Sequence, residues 1–324
     1  MTLQADALVD RRRLKRRLSL WRVLAVGFAL ALIAALALQL EDVASSIGYG
    51  SQVARVSVGG IIRDDRDQQK LLDKIAKADN VKALILRINS PGGTTSGGES
   101  LFEAIRGVAE KKPVVAVFGT VATSAAYMAA LASDHIVARA NSITGSVGVI
   151  FQWAEVTKLM KTLGIKIEEI KSGPLKANPS PFQPIDEAGR RISEEMVGEA
   201  QKWFLDLVAK RRVLKPDDVP GLRDGRVYSG RKAQQLKLID AIGGEDTARD
   251  WLAKEREIDR DLPVVDWEKG DGGRLGLLGG IANMLARSLG LPPIVIDSVA
   301  NSLATIRSVQ LDGLVSLWHP RLRR

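Results

Sequence analysis

Ser124 lies in the segment GTVATSAAYMA, Gly119 to Ala129, after an apolar run and before a run of very small residues. The first run reads as a buried strand and the second as a helix. The hydroxyl is therefore carried to a strand-to-helix turn, where backbone amides favour a negative oxygen. The placement matches a nucleophile elbow in geometry, although the GxSxG pattern is absent. The alternative is a simple helix cap made by Thr123 or Ser124. Lys176 sits in KSGPLKANPSPF, Lys171 to Phe182, a loop controlled by glycine and proline. A lysine acts as a general base only when neutral, and free lysine titrates near ~10.4. Pro174, Leu175, Pro181 and Phe182 could lower that value by desolvation; the alternative is an ordinary surface lysine.

Two other segments invite chemistry. Asn89 to Gly98, NSPGGTTSGG, is glycine-rich but lacks the lysine of GxxxxGK[ST] and the spacing of GxGxxG. It offers unobstructed backbone N–H groups that can meet a developing oxyanion, or it is a tight strand-to-helix turn. Ser133, Asp134 and His135 stand side by side. Adjacent residues on a strand point to opposite faces, so they cannot assemble a triad, and His135 reads as structural.

Composition removes whole classes of mechanism. The 324 residues contain no cysteine and two histidines, His135 and His319. A thiol nucleophile, a thiolate zinc site and a disulfide framework are excluded. No metal and no cofactor is expected. The formal net charge of +9 is concentrated at the two ends. Residues 1–22 carry seven basic residues against two acidic ones, and the last four carry three arginines. A nucleic-acid partner is therefore not expected.

Residues 23–38, VLAVGFALALIAALAL, are apolar without interruption, extending through Gln39 to Leu40. Eighteen helical residues span roughly 27 Å, near the hydrocarbon thickness of a bilayer. Basic residues precede the run and Glu41 and Asp42 follow it. The expectation is one transmembrane helix at 23–40 with a cytoplasmic amino terminus and an extracytoplasmic body. A cleaved signal peptide is the alternative.

The elements that position these residues follow from periodicity. Strands are expected at Val53–Val58, Val81–Ile88, Pro113–Phe118, His135–Ala138 and Lys166–Ile170, with an edge strand at Pro263–Trp267. Helices are expected at Gln68–Ala78, Ser100–Lys111, Thr123–Ala132, Glu155–Leu163, Asp186–Arg211, Gly230–Leu236 and Asp246–Lys254. The alternation predicts an α/β fold with a parallel sheet and covering helices, its functional residues beyond the strand ends. The expected organisation is a basic segment 1–22, an anchor 23–40, a tether 41–52, a catalytic domain 53–267 and an apolar tail 268–324.

Several segments together resemble the signal peptide peptidase A family of bacterial membrane serine peptidases, in its short, single-repeat form. They are LRINSPGG (Leu86 to Gly93), ATSAAYMAA (Ala122 to Ala130), ITGSVGV (Ile143 to Val149), KSGPLK (Lys171 to Lys176), GRVYSG (Gly225 to Gly230) and LIDAIGG (Leu238 to Gly244). The resemblance covers roughly residues 50–255 and implies a ClpP/crotonase-like fold with a Ser–Lys dyad. Carried over, Ser124 is the nucleophile, Lys176 the general base, and Ser146 orients the lysine. Gly93 and Ala125 supply the oxyanion amides. The family usually has two glycines after the serine. Here they are Ala125 and Ala126, whose methyls are expected to narrow the pocket.

The resemblance also implies peptide substrates such as signal-peptide remnants or short hydrophobic peptides. It further implies a lipid-bilayer partner and a dome-like homo-oligomer such as an octamer, at the outer face of the inner membrane. The competing readings are a crotonase-like enzyme acting on acyl-thioesters and a non-catalytic membrane scaffold.

Overall fold

The run VKALILRI is apolar on both faces, the pattern of a strand covered on two sides. In the computed structural model it lies inside the sheet. The structure describes Trp21, residues 50–269 and residues 315–317. The chain divides into two units, Met1–Ser51 and Gln52–Arg324. In the first, Trp21 is exposed.

The second unit contains nine strands among the described residues: β1 Gln52–Ile62, β2 Val81–Thr94, β3 Val114–Thr123, β4 His135–Ala138, β5 Ile143–Gly145, β6 Val227–Ser229, β7 Ala241–Ile242, β8 Val264–Asp266 and β9 Val315–Leu317. The helices are α1 Arg66–Lys77, α2 Thr95–Ala109, α3 Ala125–Ala130, α4 Thr157–Thr162, α5 Glu187–Arg212, α6 Gly230–Gln235 and α7 Glu245–Arg256. The sheet order is β6-β5-β3-β2-β1-β8, with β4 beside β3 and β7, and β9 beside β2. Pairing is parallel except for β5 with β6 and β2 with β9.

Burial explains the pattern. Leu84, Leu86 and Ile88 of β2 enter the core beneath α1, α2, α3 and α5. Ala83 and Ile85 enter a smaller core on the other face, closed by Ala248 and Leu252 of α7. Each fully buried aliphatic side chain contributes about 1.5–3 kcal/mol. Helix α1 begins where the Asp65 carboxylate accepts from the amides of Asp67 and Gln68 at 3.0 and 3.2 Å. It buries Leu71, Leu72, Ile75 and Ala76 on one side. At the sheet edge, the Arg55 guanidinium donates to Asp266 and Glu245, tying β1 to β8 and α7. These carboxylates raise the arginine pKa still further.

The structure corrects several expectations. The expected ClpP/crotonase-like parallel sheet preceded by a membrane helix gives way to a mixed α/β unit. Among the described residues, no helix is long and apolar enough to cross a membrane. The longest, α5, has 26 residues but carries charge along its length, from Glu187 to Arg212. The proposed anchor at 23–40 lies outside the described residues. The inner-membrane location and the partner set of a lipid bilayer around a dome-like homo-oligomer or octamer are withdrawn with the anchor. The expected strand Lys166–Ile170 forms no secondary structure. It finds no neighbouring edge, and its isoleucines, Ile167 and Ile170, are exposed. The glycine-rich segment Asn89–Gly98, for which a tight strand-to-helix turn was one reading, is strand as far as Thr94 and helix from Thr95, because Ile61 and Ile62 of β1 continue to pair with Gly92 and Gly93.

Tyr127 anchors the short helix α3 from inside the core. It is fully buried, and its hydroxyl donates to the Leu238 carbonyl at 2.8 Å. Burial also holds the phenol well above its ordinary pKa. Tyr127→Phe leaves that carbonyl without its donor and is expected to cost about 1–3 kcal/mol. Urea unfolding at neutral pH measures the loss.

Candidate active site

The carboxyl ends of β2, β3 and β5 lie side by side. Ser90 of β2 pairs with Ala122 of β3, and Thr123 of β3 pairs with Gly145 of β5. Where β3 ends, the Ser124 amide donates to the Gly145 carbonyl at 2.8 Å. Ser124 then turns sharply into α3, with φ 59° and ψ −122°. An L-residue rarely adopts such a backbone, and its strain clusters at functional sites. The side chain makes no helix-capping hydrogen bond, which removes the simple cap reading. Ser124 is only 1% exposed.

Hydroxyl and amide side chains fasten this junction. Thr123 Oγ1 donates to the Pro91 carbonyl at 3.1 Å, and Thr144 Oγ1 to the Ala122 carbonyl at 2.8 Å. The Asn89 amide oxygen accepts from Thr120 and Val121 N–H groups at 3.0 and 3.2 Å. It thereby bridges the point where the β2–β3 register shifts. Ser90 Oγ donates to Gly60 O at 2.6 Å and accepts from Gly92 N at 3.1 Å. These residues lie inside the quoted segments LRINSPGG, ATSAAYMAA and ITGSVGV, where the sequence reading gave them no positioning role. The available signal is polar residues at the ends of otherwise apolar strands, where burial demands partners.

Helix α3 has only six residues, shorter than the expected Thr123–Ala132, and neighbours satisfy its carboxyl end. Arg211 of α5 donates to the Leu131 and Ser133 carbonyls at 2.6 and 3.0 Å. Arg106 of α2 donates to the Ala132 carbonyl at 3.0 Å. Ala125 and Ala126 are fully buried. A methyl built on Gly98 would lie 3.0 Å from the Ala125 Cβ, so a glycine on α2 gives the Ala125 methyl its room.

Of the sequence-predicted residues, Gly93, Ser124, Ala125 and Ser146 converge on these strand ends. Ser146 directly follows Gly145, has φ 54° and gives its amide to the Arg226 carbonyl at 2.9 Å. Gly93 lies so close to β1 that an added methyl would sit 1.8 Å from the Ile62 carbonyl oxygen. Lys176 is on an exposed turn. Leu175 and Phe182, expected to desolvate it, are 45% and 43% exposed. No hydrogen bond joins Lys176 to either serine among the described residues.

Asp134 and His135 do not form a triad with Ser133. The Asp134 carboxylate accepts from the Val114 amide at 2.9 Å. His135 stacks on Trp251 at 4.7 Å, with Asp240 3.8 Å away.

Comparison with known proteins gives the family of the chain. The model for peptidase family S49 matches residues 106–259. A protein of Methanocaldococcus jannaschii, provisionally named a protease, is 37% identical over 57% of this chain and 60% of its own length. A protein of Enterococcus faecium, provisionally named a signal peptide peptidase, is 30% identical over 80% of this chain and 78% of its own. A ClpP1 mutant from Listeria monocytogenes has a looser likeness, with a TM-score of 0.40 at 15% identity over 59% of this chain and 91% of that one. The chain is a serine protease. It belongs to peptidase family S49.

Two predictions follow from this geometry. Gly93→Ala forces a methyl into the Ile62 carbonyl and should displace the strand end. We expect kcat/KM to fall about 100-fold or more, the scale of a small misplacement at a catalytic site. Gly59→Ala is the control, because its methyl would meet its nearest neighbour at an ordinary 3.8 Å. The second prediction concerns His135. Burial lowers its pKa more than Asp240 raises it. The unfolded chain thus binds the proton more readily, so stability is complete above pH ~6.5 and is lost as pH falls through that value. The urea midpoint should fall less between pH 7.5 and 5 in His135→Phe than in the parent.

Proposed function

We propose that Ser124 and Lys176 form a Ser–Lys dyad that hydrolyses peptide bonds of signal-peptide remnants or other short hydrophobic peptides. The observation that carries this reading is the strained Ser124 backbone at φ 59° and ψ −122°, set between the Gly92–Gly93 end of β2 and Ser146. The naming of the Enterococcus faecium relative supports the substrate class.

In this reading, neutral Lys176 takes the Ser124 proton as Oγ attacks the scissile carbonyl carbon. The amides of Gly93 and Ala125 receive the resulting oxyanion. Protonated Lys176 gives its proton to the leaving amine as the C–N bond breaks. The same amine then deprotonates a water that hydrolyses the acyl-enzyme. Ser146 holds the lysine amine on line.

Covalent labelling with a fluorophosphonate, followed by peptide mapping, tests the nucleophile. Label is expected on Ser124 and is absent from Ser124→Ala, which retains the parent's circular dichroism. Lys176→Ala is expected to lose about 10²–10⁴-fold in kcat/KM for an unstructured hydrophobic peptide. Undiminished turnover in either variant would sink the dyad.

A further inference from the structure

Side chains alternate along β2. Leu84, Leu86 and Ile88 enter the core that holds α3, whereas Ala83 and Ile85 enter the one closed by α7. Arg87 continues the second series, so it lies on the α7 face, across the sheet from the helix that follows Ser124. Along its other edge β3 changes neighbours. It pairs with β4 as far as Val117 and Val137, and with β5 from Val121 and Ile143. Phe118 to Thr120 lie between the two pairings, and a cleft of about 420 Å³ opens beside them. Arg87 and Arg139, the residue after β4, both line it, together with Asn89, Asn141 and Glu245.

The acceptors on this wall are already used. The Asn89 side-chain oxygen accepts from the Thr120 and Val121 amides at 3.0 and 3.2 Å, which leaves its NH2 group. The Asn141 oxygen accepts from Arg231 at 2.9 Å, which leaves its NH2 group as well. Both Glu245 oxygens accept from Arg55, at 3.0 and 3.1 Å. Asp266, the other carboxylate near Arg87, is held by Arg55 too, at 2.6 Å. Ser142 Oγ donates to the Gly119 carbonyl at 2.6 Å and accepts from the Arg139 amide at 3.1 Å, so the turn bearing Arg139 is fastened to β3. Neither the Arg87 nor the Arg139 guanidinium has a hydrogen-bond or ion-pair partner among the described residues.

We propose that this cleft binds a small organic phosphate, with its phosphoryl oxygens on Arg87 and Arg139 and its organic part over Val117. Two positive charges without a counterpart suit a dianion, and a phosphate monoester carries about −1.5 to −2 at neutral pH. A carboxylate carries one charge and is satisfied by a single guanidinium fork. The volume falls in the range of small-molecule sites, roughly 300–1,000 Å³. None of the residues assigned to the Ser–Lys chemistry lines the cleft, so ligand and peptide substrate do not compete. The inference does not depend on the assignment of the nucleophile. Contact with the Asn89 NH2 group braces Thr120 and Val121, the stretch of β3 that leads to Ser124.

Calorimetric titration of the full-length protein with phenyl phosphate at low ionic strength tests this, and one site is expected. Arg87→Gln and Arg139→Gln should each weaken binding about tenfold or more, the scale of a lost charge-assisted hydrogen bond. Lys82→Gln removes the same charge from β2 outside the cleft and should bind as the parent does. Benzoate, with the same ring and one charge, should bind at least about tenfold more weakly. Saturating phenyl phosphate should slow amide exchange at residues 119–123 of the parent, read by mass spectrometry, and leave KM for a hydrophobic peptide unchanged. Absence of binding by the parent overturns the proposal, as does undiminished affinity in both arginine variants or an equal loss in Lys82→Gln. Equal affinity for benzoate overturns the phosphate assignment, and a competitive rise in KM overturns the separate site. If an arginine variant loses the parent's circular dichroism, exchange in the parent decides. Protection at 119–123 upholds the cleft, and its absence overturns it.

Discussion

The Ser124 amide bonded to the Gly145 carbonyl holds the backbone in a conformation that an L-residue resists. Such a conformation costs on the order of 1–3 kcal/mol and persists only when its surroundings over-determine it. The surroundings here do so on each side. Thr123 is bonded to β2 and Thr144 to β3. The far end of the six-residue helix is held by Arg106, Arg211 and Tyr127. Loosening the register of β2, β3 and β5 would let the turn relax and carry the hydroxyl away from the strand ends.

Close backbone approach is the second requirement. Gly93 lies against the Ile62 carbonyl of β1, and Gly98 makes room for Ala125 and Met128, so α2 packs closely on α3. The Ala125–Ala126 pair, read from sequence as narrowing the pocket, is buried, with the Ala125 methyl against α2. The better helix propensity of alanine is thereby gained where packing has already provided the space.

The rigid centre contrasts with what surrounds it. Residues 150–182 carry exposed Leu159, Leu163, Ile165, Ile167, Ile170, Leu175 and Phe182, so the loop bearing Lys176 has apolar surface still to bury. At the same strand ends, a segment from the carboxyl terminus occupies a sheet edge. Strain and close packing set Ser124 in place, whereas Lys176 is carried on an exposed turn.

The long strands were legible because Val81–Ile88 and Val114–Phe118 are apolar on both faces, a pattern that burial on two sides enforces. The absence of cysteine and the scarcity of histidine, with Ser124 at the end of an apolar run, already pointed to hydroxyl chemistry. Strands β5, β6 and β7 are two or three residues long and have no readable period; their partners create them. The apolar residues at Lys166–Ile170 misled because a strand exists only with a neighbour to bond. The membrane expectation rested on a hydrophobic run outside the described residues, and the long helix that is described is amphipathic. Residue types and local periodicity were determined by the sequence alone. The φ of Ser124, the fit of Ala125 against Gly98, the exposure of Lys176 and the pairing of Val315–Leu317 with Gly92–Thr94 were decided by the tertiary structure, since each depends on contacts between segments far apart in the chain.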